Sequence, residues 1–105
     1  MIEYHKLVRD KIPDIIRSSG EVPYTRTLDD HEYTILLEKK LDEEVEEYHQ
    51  DKCVEELADI LEVVFALADN IGCSRESLME AYQRKHDERG GFTARCFLIG
   101  KDQEG

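Results

Sequence analysis

The fold is decided by residues 31–70, whose sequence is HEYTILLEKKLDEEVEEYHQDKCVEELADILEVVFALADN. In two stretches of this segment apolar residues recur three and four positions apart, which is the spacing that places them on one face of an α-helix. The polar triplet Gln50-Asp51-Lys52 separates the two stretches, and so short a connection joins neighbouring antiparallel helices. We therefore predict a helical hairpin, with one helix from about His31 to His49 and the next from Val54 to Asn70.

Shorter elements flank the hairpin. A first helix is expected between Leu7 and Ser18, with Pro13 tolerated if Asp10 to Ile12 form its entry turn. A fourth helix, capped by Ser74, should reach about Glu88. The alternating residues Phe92 to Ile99 predict a short strand or an extended arm. The expected fold is all-α, an antiparallel bundle of about four helices with a short extended C-terminal segment, forming a single domain over residues 1–105.

Three helix ends carry residues that commonly cap helices. Asp29-Asp30 is expected to cap the N-terminus of the long helix, with Glu32 placed favourably in its first turn. Gly72 is a good left-handed residue for closing the third helix, and Gly90-Gly91 should stop the fourth.

The composition limits the possible partners. Twenty-five acidic residues against 14 lysines and arginines give a formal net charge of −11, which argues against nonspecific binding to nucleic acids or to anionic membranes. The acidity is local, because residues 38–62 hold eleven acids and three bases. A chain of 105 residues builds only a modest core, so we expect a homo-oligomer, either a homodimer or a homotetramer.

The cysteines and the N-terminal residues indicate a cytoplasmic protein. Cys53, Cys73 and Cys96 are widely spaced and odd in number, unlike the ligand pairs of a zinc site or the dense cysteines of a secreted disulfide scaffold. The stretch from Met1 to Lys6 lacks the pattern of a secretion signal, and no apolar run approaches the length of a membrane span. Reduced thiols and no membrane segment are therefore expected.

Helical geometry separates the glutamates of the long helix into inward and outward groups. The apolar stripe of this helix consists of Leu37, Leu41, Val45 and Tyr48. With Leu37 set at zero, Glu44 falls at roughly −20°, inside the stripe, and Glu47 falls at roughly −80°, on its flank. Glu43 and Glu46 fall at roughly −120° and 180° and are expected to face solvent.

The next helix carries a matching acidic pair. Glu56, Asp59 and Val63 form one row at spacings of three and four. From Ile60 to Ala68 this helix is apolar almost all round, so it is expected to be the central helix, covered on several sides. Glu56 and Asp59 thus lie at the N-terminal end of a helical face whose later residues are expected to be buried in the core.

Two interpretations of these carboxylates are open. Four convergent carboxylates suit a magnesium site in a helical bundle, because Mg²⁺ prefers oxygen ligands. Alternatively the acidic residues form a solvated face, in which Glu47 or Glu56 pairs with Lys40 or Lys52. The inward placement of Glu44 favours the metal site.

Four stretches of the chain resemble one known family. They are Lys40-Leu41 with Glu43-Glu44-Val45-Glu46-Glu47 and Glu56-Leu57-Ala58-Asp59-Ile60-Leu61, then Lys6-Leu7-Val8-Arg9-Asp10-Lys11-Ile12-Pro13, and Glu88-Arg89-Gly90-Gly91-Phe92. These stretches resemble the MazG-like all-α nucleotide pyrophosphohydrolases, in the small predicted house-cleaning branch related to phosphoribosyl-ATP pyrophosphohydrolase. The pattern of that family, ExxE followed by ExxD, is complete here.

The resemblance implies a reaction and its ligands. The reaction is Mg²⁺-dependent hydrolysis of a nucleoside triphosphate, in this branch a noncanonical one, to nucleoside monophosphate and pyrophosphate. The residues implied as Mg²⁺ ligands and catalytic groups are Glu44, Glu47, Glu56 and Asp59, with Mn²⁺ as a substitute ion. Of the four, Glu47 is favoured as the group that accepts a proton, because it flanks the stripe.

Phosphates also require positive charge. The resemblance places basic residues near the end of the fourth helix against the substrate, where Lys85 and Arg89 stand four residues apart on one face. Three further candidates lie near the N-terminus, Lys6, Arg9 and Lys11. For these three, surface ion pairs with Glu3, Asp10 or Asp14 are an equal alternative.

Two other functions are compatible with the sequence. One is a pyrophosphohydrolase of the phosphoribosyl-ATP type, which would use the same metal ligands with a different base and sugar pocket. The other is a noncatalytic helical module for oligomerisation or protein binding, whose acidic residues serve solubility.

Overall fold

The computed structural model describes residues 1–103 and contains four helices. They are α1 (Ile12–Ser18), α2 (Asp30–Gln50), α3 (Val54–Asn70) and α4 (Arg75–Arg89). No strand occurs in these residues, so the expected all-α fold is confirmed, and residues 92–99 form an arm with one turn rather than a strand. None of the helices within residues 1–103 combines the length and the apolar character needed to cross a membrane.

Helices α2 and α3 form the predicted antiparallel hairpin. At its open end the Asn70 side-chain amide donates a hydrogen bond of 3.0 Å to the Thr34 hydroxyl. At its closed end the acidic residues of α2 meet those at the start of α3. Leu37 and Val63 are buried between the helices, with 3% and 7% of their surfaces exposed.

The predicted caps of the hairpin and of α4 are confirmed. The Asp29 carboxylate accepts the Glu32 backbone N–H at 2.8 Å, which satisfies one of the free donors at the start of α2. At the end of α3, Gly72 takes a φ of +83°, a conformation that glycine reaches without strain. The Ser74 hydroxyl accepts the Ser77 N–H at the start of α4. The boundaries of α3 agree with the sequence prediction residue for residue; Gly72 accounts for its end, whereas the Cys53 side chain does not cap its start.

Helix α1 lies within the limits Leu7 to Ser18 that were expected for it, but it is shorter than those limits. Helix α1 begins at Ile12 rather than at Leu7, and residues 7–9 have no regular structure. Pro13 has no backbone N–H to donate to residue 9, and its ring would clash with the carbonyl there if that turn were helical. The proline therefore lies in the first turn of a helix of only seven residues.

Helix α3 is central but is covered less than expected. It packs against both α2 and α4. The face turned about 180° from Glu56 and Asp59 carries an apolar patch formed by Val54, Leu57 and Leu61, which are 70%, 49% and 48% exposed. The single chain therefore leaves part of its most apolar helix uncovered.

Candidate metal centre

The hairpin brings the four predicted carboxylates together. Each of Glu44, Glu47, Glu56 and Asp59 offers one carboxylate oxygen, and these oxygens all lie within 4.8 Å of one another. Two ligands on opposite sides of one Mg²⁺ are about 4.2 Å apart, so this spacing is close to that of an octahedral site. We call these four residues the quartet.

Burial distinguishes the quartet from an ordinary acidic surface. Glu44 is 6% exposed and is the buried charged residue of the described chain. Its Oε2 atom and the Oε2 atom of Glu56 are buried without a hydrogen-bond partner in residues 1–103. A buried carboxylate oxygen without a partner costs free energy unless a cation or a proton satisfies it. An all-oxygen set with two such atoms fits a hard divalent cation.

The other glutamates of α2 and α3 follow the geometric expectation with one exception. Glu46, Glu55 and Glu62 are exposed, and Glu47 is exposed on the flank of the stripe. Glu43 is half-buried rather than outward, because residues 5–7 line a small cleft beside it and the Lys40 ammonium lies 3.8 Å from its carboxylate.

Lys40 pairs with a carboxylate that the solvated-face alternative did not name. Its ammonium lies 3.3 Å from Oε1 of Glu44, one turn along α2, and not beside Glu47 or Glu56. Burial, together with the neighbouring Glu47 carboxylate, raises the pKa of Glu44 above its ordinary value, and Lys40 opposes that rise. The site therefore resists holding a full negative charge on Glu44 when no cation is bound.

Glu44→Gln is expected to stabilise the metal-free protein against unfolding by about 1 kcal/mol near neutral pH. Because folding raises the pKa of Glu44, the native state binds this proton more tightly than the unfolded chain does. The cost of ionising Glu44 appears as the pH rises through its folded pKa, so the gain from the substitution should vanish below about pH 4. Urea unfolding in the presence of a chelator at several pH values measures it. Glu46→Gln is the exposed control, and a Glu44→Gln protein no more stable than wild type at neutral pH would contradict the expectation.

Arginine 9 reaches the quartet from the N-terminal segment. Its guanidinium donates a hydrogen bond of 2.7 Å to Oδ1 of Asp59. The ion pairs considered from the sequence, with Glu3, Asp10 or Asp14, do not form for Arg9 in the described residues: Glu3 contacts His5, and Asp14 pairs with Arg17. Fifty residues separate Arg9 from Asp59, so no local pattern could have indicated this contact.

The remaining basic candidates lie in two places. Lys6 stacks over the Tyr4 ring at 5.8 Å and lines a small cleft against α2, beside Lys40 and Glu43. Lys11 is exposed at the start of α1. Lys85 and Arg89 are exposed on the last turns of α4, and within residues 1–103 no hydrogen bond or ion pair joins them to the quartet. Contact of these four residues with a substrate stays a prediction.

A second grouping of metal-binding side chains shares one member with the quartet. Asp51, Cys53 and Glu56 offer ligand atoms within 4.8 Å of one another, at the connection between α2 and α3. The sequence did not indicate this set, because Asp51 was interpreted only as part of the connector Gln50-Asp51-Lys52 and Cys53 only as a reduced thiol. A thiolate favours softer ions than Mg²⁺. Cys53, Cys73 and Cys96 are all free thiols.

Comparison with known proteins adds one partial relative. No protein-family model matches the chain, and no solved structure matches it. Over 42 residues the chain is 60% identical to an uncharacterized protein of Mycolicibacterium smegmatis (strain ATCC 700084 / mc(2)155). The match covers 40% of this chain and 43% of that protein, so it spans well under half of the relative's length.

Proposed function

We propose that this protein is a Mg²⁺-dependent nucleoside triphosphate pyrophosphohydrolase, which splits a noncanonical nucleotide into nucleoside monophosphate and pyrophosphate. The quartet is the observation that carries the proposal. Four carboxylate oxygens from two helices converge within 4.8 Å, and two buried oxygens there have no partner. A solvated acidic face would not bury Glu44 to 6% exposure.

The four carboxylates have different roles in the proposed reaction. When bound, Mg²⁺ lowers the pKa of a water molecule and neutralises charge on the phosphoryl oxygens. Glu44, Glu56 and Asp59 are the more enclosed members and are suited to hold the ion, with Mn²⁺ as a substitute. Glu47 is exposed and has no basic partner in the described residues, so it is suited to accept the proton of the attacking water.

Two basic residues of the N-terminal segment lie near the quartet and could bind the phosphates of a substrate. Arg9 already contacts Asp59 of α3, and Lys6 lies beside Lys40 and Glu43 of α2. An arginine is well matched to phosphate because its planar donors bind two oxygens at once. Lys11, Lys85 and Arg89 are further candidates that substitution can rank by their effect on KM. A substrate panel that includes phosphoribosyl-ATP separates a house-cleaning enzyme from one dedicated to that metabolite.

The proposed active form is a homo-oligomer, because the single chain is not compact. Its accessible surface is 9658 Å², whereas a compact protein of 12.2 kDa exposes about 6,100 Å². The radius of gyration is 18.9 Å, against about 13 Å for a compact domain of this length. The excess of about 3,600 Å² in one chain is more than the roughly 1,000–2,500 Å² that each partner of an obligate homodimer commonly buries, so one such interface would cover only part of it. We place the interface on the patch of Val54, Leu57 and Leu61.

The proposed setting of the reaction is the cytoplasm. Three free thiols, two of them half-buried, fit a reducing compartment. A nucleotide substrate would also be met there.

Mg²⁺ is expected to stabilise the wild-type protein, because it binds the native quartet and not the unfolded chain. At a concentration one hundred times its Kd the gain is about 2.7 kcal/mol, which corresponds to a rise in Tm of roughly 10 °C. Glu44→Gln should lose most of this rise, whereas Glu62→Gln, an exposed residue of α3, should retain it. Thermal unfolding followed by circular dichroism measures both. Equal shifts in all three proteins, or none in the wild type, would favour the noncatalytic helical module.

A further inference from the structure

The quartet has two internal counter-ions, and they come from different parts of the chain. Lys40 pairs with Glu44 from within α2, at 3.3 Å. Arg9 pairs with Asp59 at 2.7 Å from an N-terminal segment without regular structure. Together the two side chains carry the charge of one divalent cation. Within residues 1–103, Glu47 and Glu56 have no basic partner.

The two counter-ions differ in how readily they can leave. Lys40 belongs to a long helix, its side chain is 21% exposed, and it has a second partner in Glu43. The Arg9 side chain is 53% exposed, its contact with Asp59 is on the surface, and the segment before α1 has no helix to hold it. A surface ion pair of this kind is weak enough to be displaced by a competing charge.

We propose that Arg9 is a positioning residue that exchanges with the metal ion: it neutralises Asp59 while the quartet is empty, and it is released when a divalent cation occupies the quartet. The inference rests on the proposed function, since it takes the quartet as a metal site. The Arg9 guanidinium lies 2.7 Å from Oδ1 of Asp59, so a cation bound to either oxygen of this carboxylate would lie close to it, and like charges at such distances repel. Release leaves the Arg9 guanidinium beside the site, free to meet a phosphate.

The effect of removing Arg9 on metal affinity distinguishes this exchange from a fixed supporting role for Arg9. If Arg9 only held Asp59 in its ligand position, its loss would weaken metal binding. If Arg9 competes with the metal, its loss should tighten metal binding by about 2- to 5-fold, which is the range of a surface ion pair. The release should also loosen residues 1–11.

Mn²⁺ binding and trypsin cleavage test the exchange without any substrate. Free Mn²⁺ is measured by electron paramagnetic resonance with wild type, Arg9→Gln and the matched control Arg17→Gln, which loses the same charge from an ion pair with Asp14. We expect tighter binding in Arg9→Gln alone. Cleavage after Lys11 in the wild type should accelerate several-fold when Mg²⁺ is added. In Arg9→Gln it should be fast with or without Mg²⁺.

The outcomes separate this inference from the proposed function. Absence of Mn²⁺ binding in the wild type would remove the metal site and the exchange with it. Mn²⁺ binding with unchanged or slower cleavage after Lys11, or with Arg9→Gln binding no more tightly than Arg17→Gln, would overturn the exchange and leave the metal site standing.

Discussion

Glu44→Gln and Asp59→Asn are each expected to reduce pyrophosphate release from the best nucleotide substrate by on the order of 10²- to 10³-fold. Both substitutions keep the shape of the side chain and remove one anionic ligand from the quartet. The loss should appear mainly in kcat, because charge at the phosphoryl group is greatest in the transition state. The rate is measured by a coupled pyrophosphate assay with Mg²⁺ in excess.

Matched controls make this expectation specific. Glu46→Gln on α2 and Glu62→Gln on α3 remove the same charge from exposed positions of the same helices, so they should retain nearly the full rate. If all four variants were equally active, the quartet would have no part in the chemistry. If all four lost activity together, the effect would be one of overall charge rather than of a site.

The double substitution Leu57→Glu with Leu61→Glu is expected to weaken self-association by about 10²-fold or more. Burying one leucine side chain contributes about 1.5–3 kcal/mol, and these two are about half exposed in the single chain. Because few residues are buried within one chain, the dissociated protein should also unfold at a lower temperature. Sedimentation equilibrium over a range of concentrations gives the association constant, and circular dichroism gives the helix content.

Val22→Glu is the matched control for the interface. Val22 is 72% exposed and belongs to the loop before α2 rather than to α3, which carries the patch, and its substitution should leave the assembly intact. A wild-type protein that is a stable monomer at micromolar concentration would contradict the proposed interface. So would a double mutant that associates as tightly as the wild type.

The hairpin and the burial of Glu44 could be predicted from the sequence, because both depend on interactions and geometry within a few neighbouring residues. Ser74, Asp29 and Gly72 cap helices through contacts made within a few residues. The rotation of 100° per residue placed Glu44 among the apolar residues of α2, and it is buried in the structure. The short connector then brought the two acidic pairs face to face, so their convergence needed no further information.

The features missed from the sequence depend on tertiary packing. The contact of Arg9 with Asp59 joins an irregular segment to a helix fifty residues away, and no periodicity encodes it. Helix α1 occupies only the second part of the range Leu7 to Ser18, because Pro13 disfavours a helical turn before Ile12. The open patch at Leu57 and Leu61 could not be foreseen, because the pattern marks a residue as apolar without saying which chain covers it.

The most direct test of the quartet as a pyrophosphohydrolase site is product analysis after incubating the wild-type protein with Mg²⁺ and a panel of canonical and modified nucleoside triphosphates. Ion-exchange chromatography separates the nucleotides, and pyrophosphate is measured in the same samples. The account predicts nucleoside monophosphate and pyrophosphate in equal amounts from at least one member of the panel. Nucleoside diphosphate with orthophosphate, or no hydrolysis of any triphosphate, would contradict it.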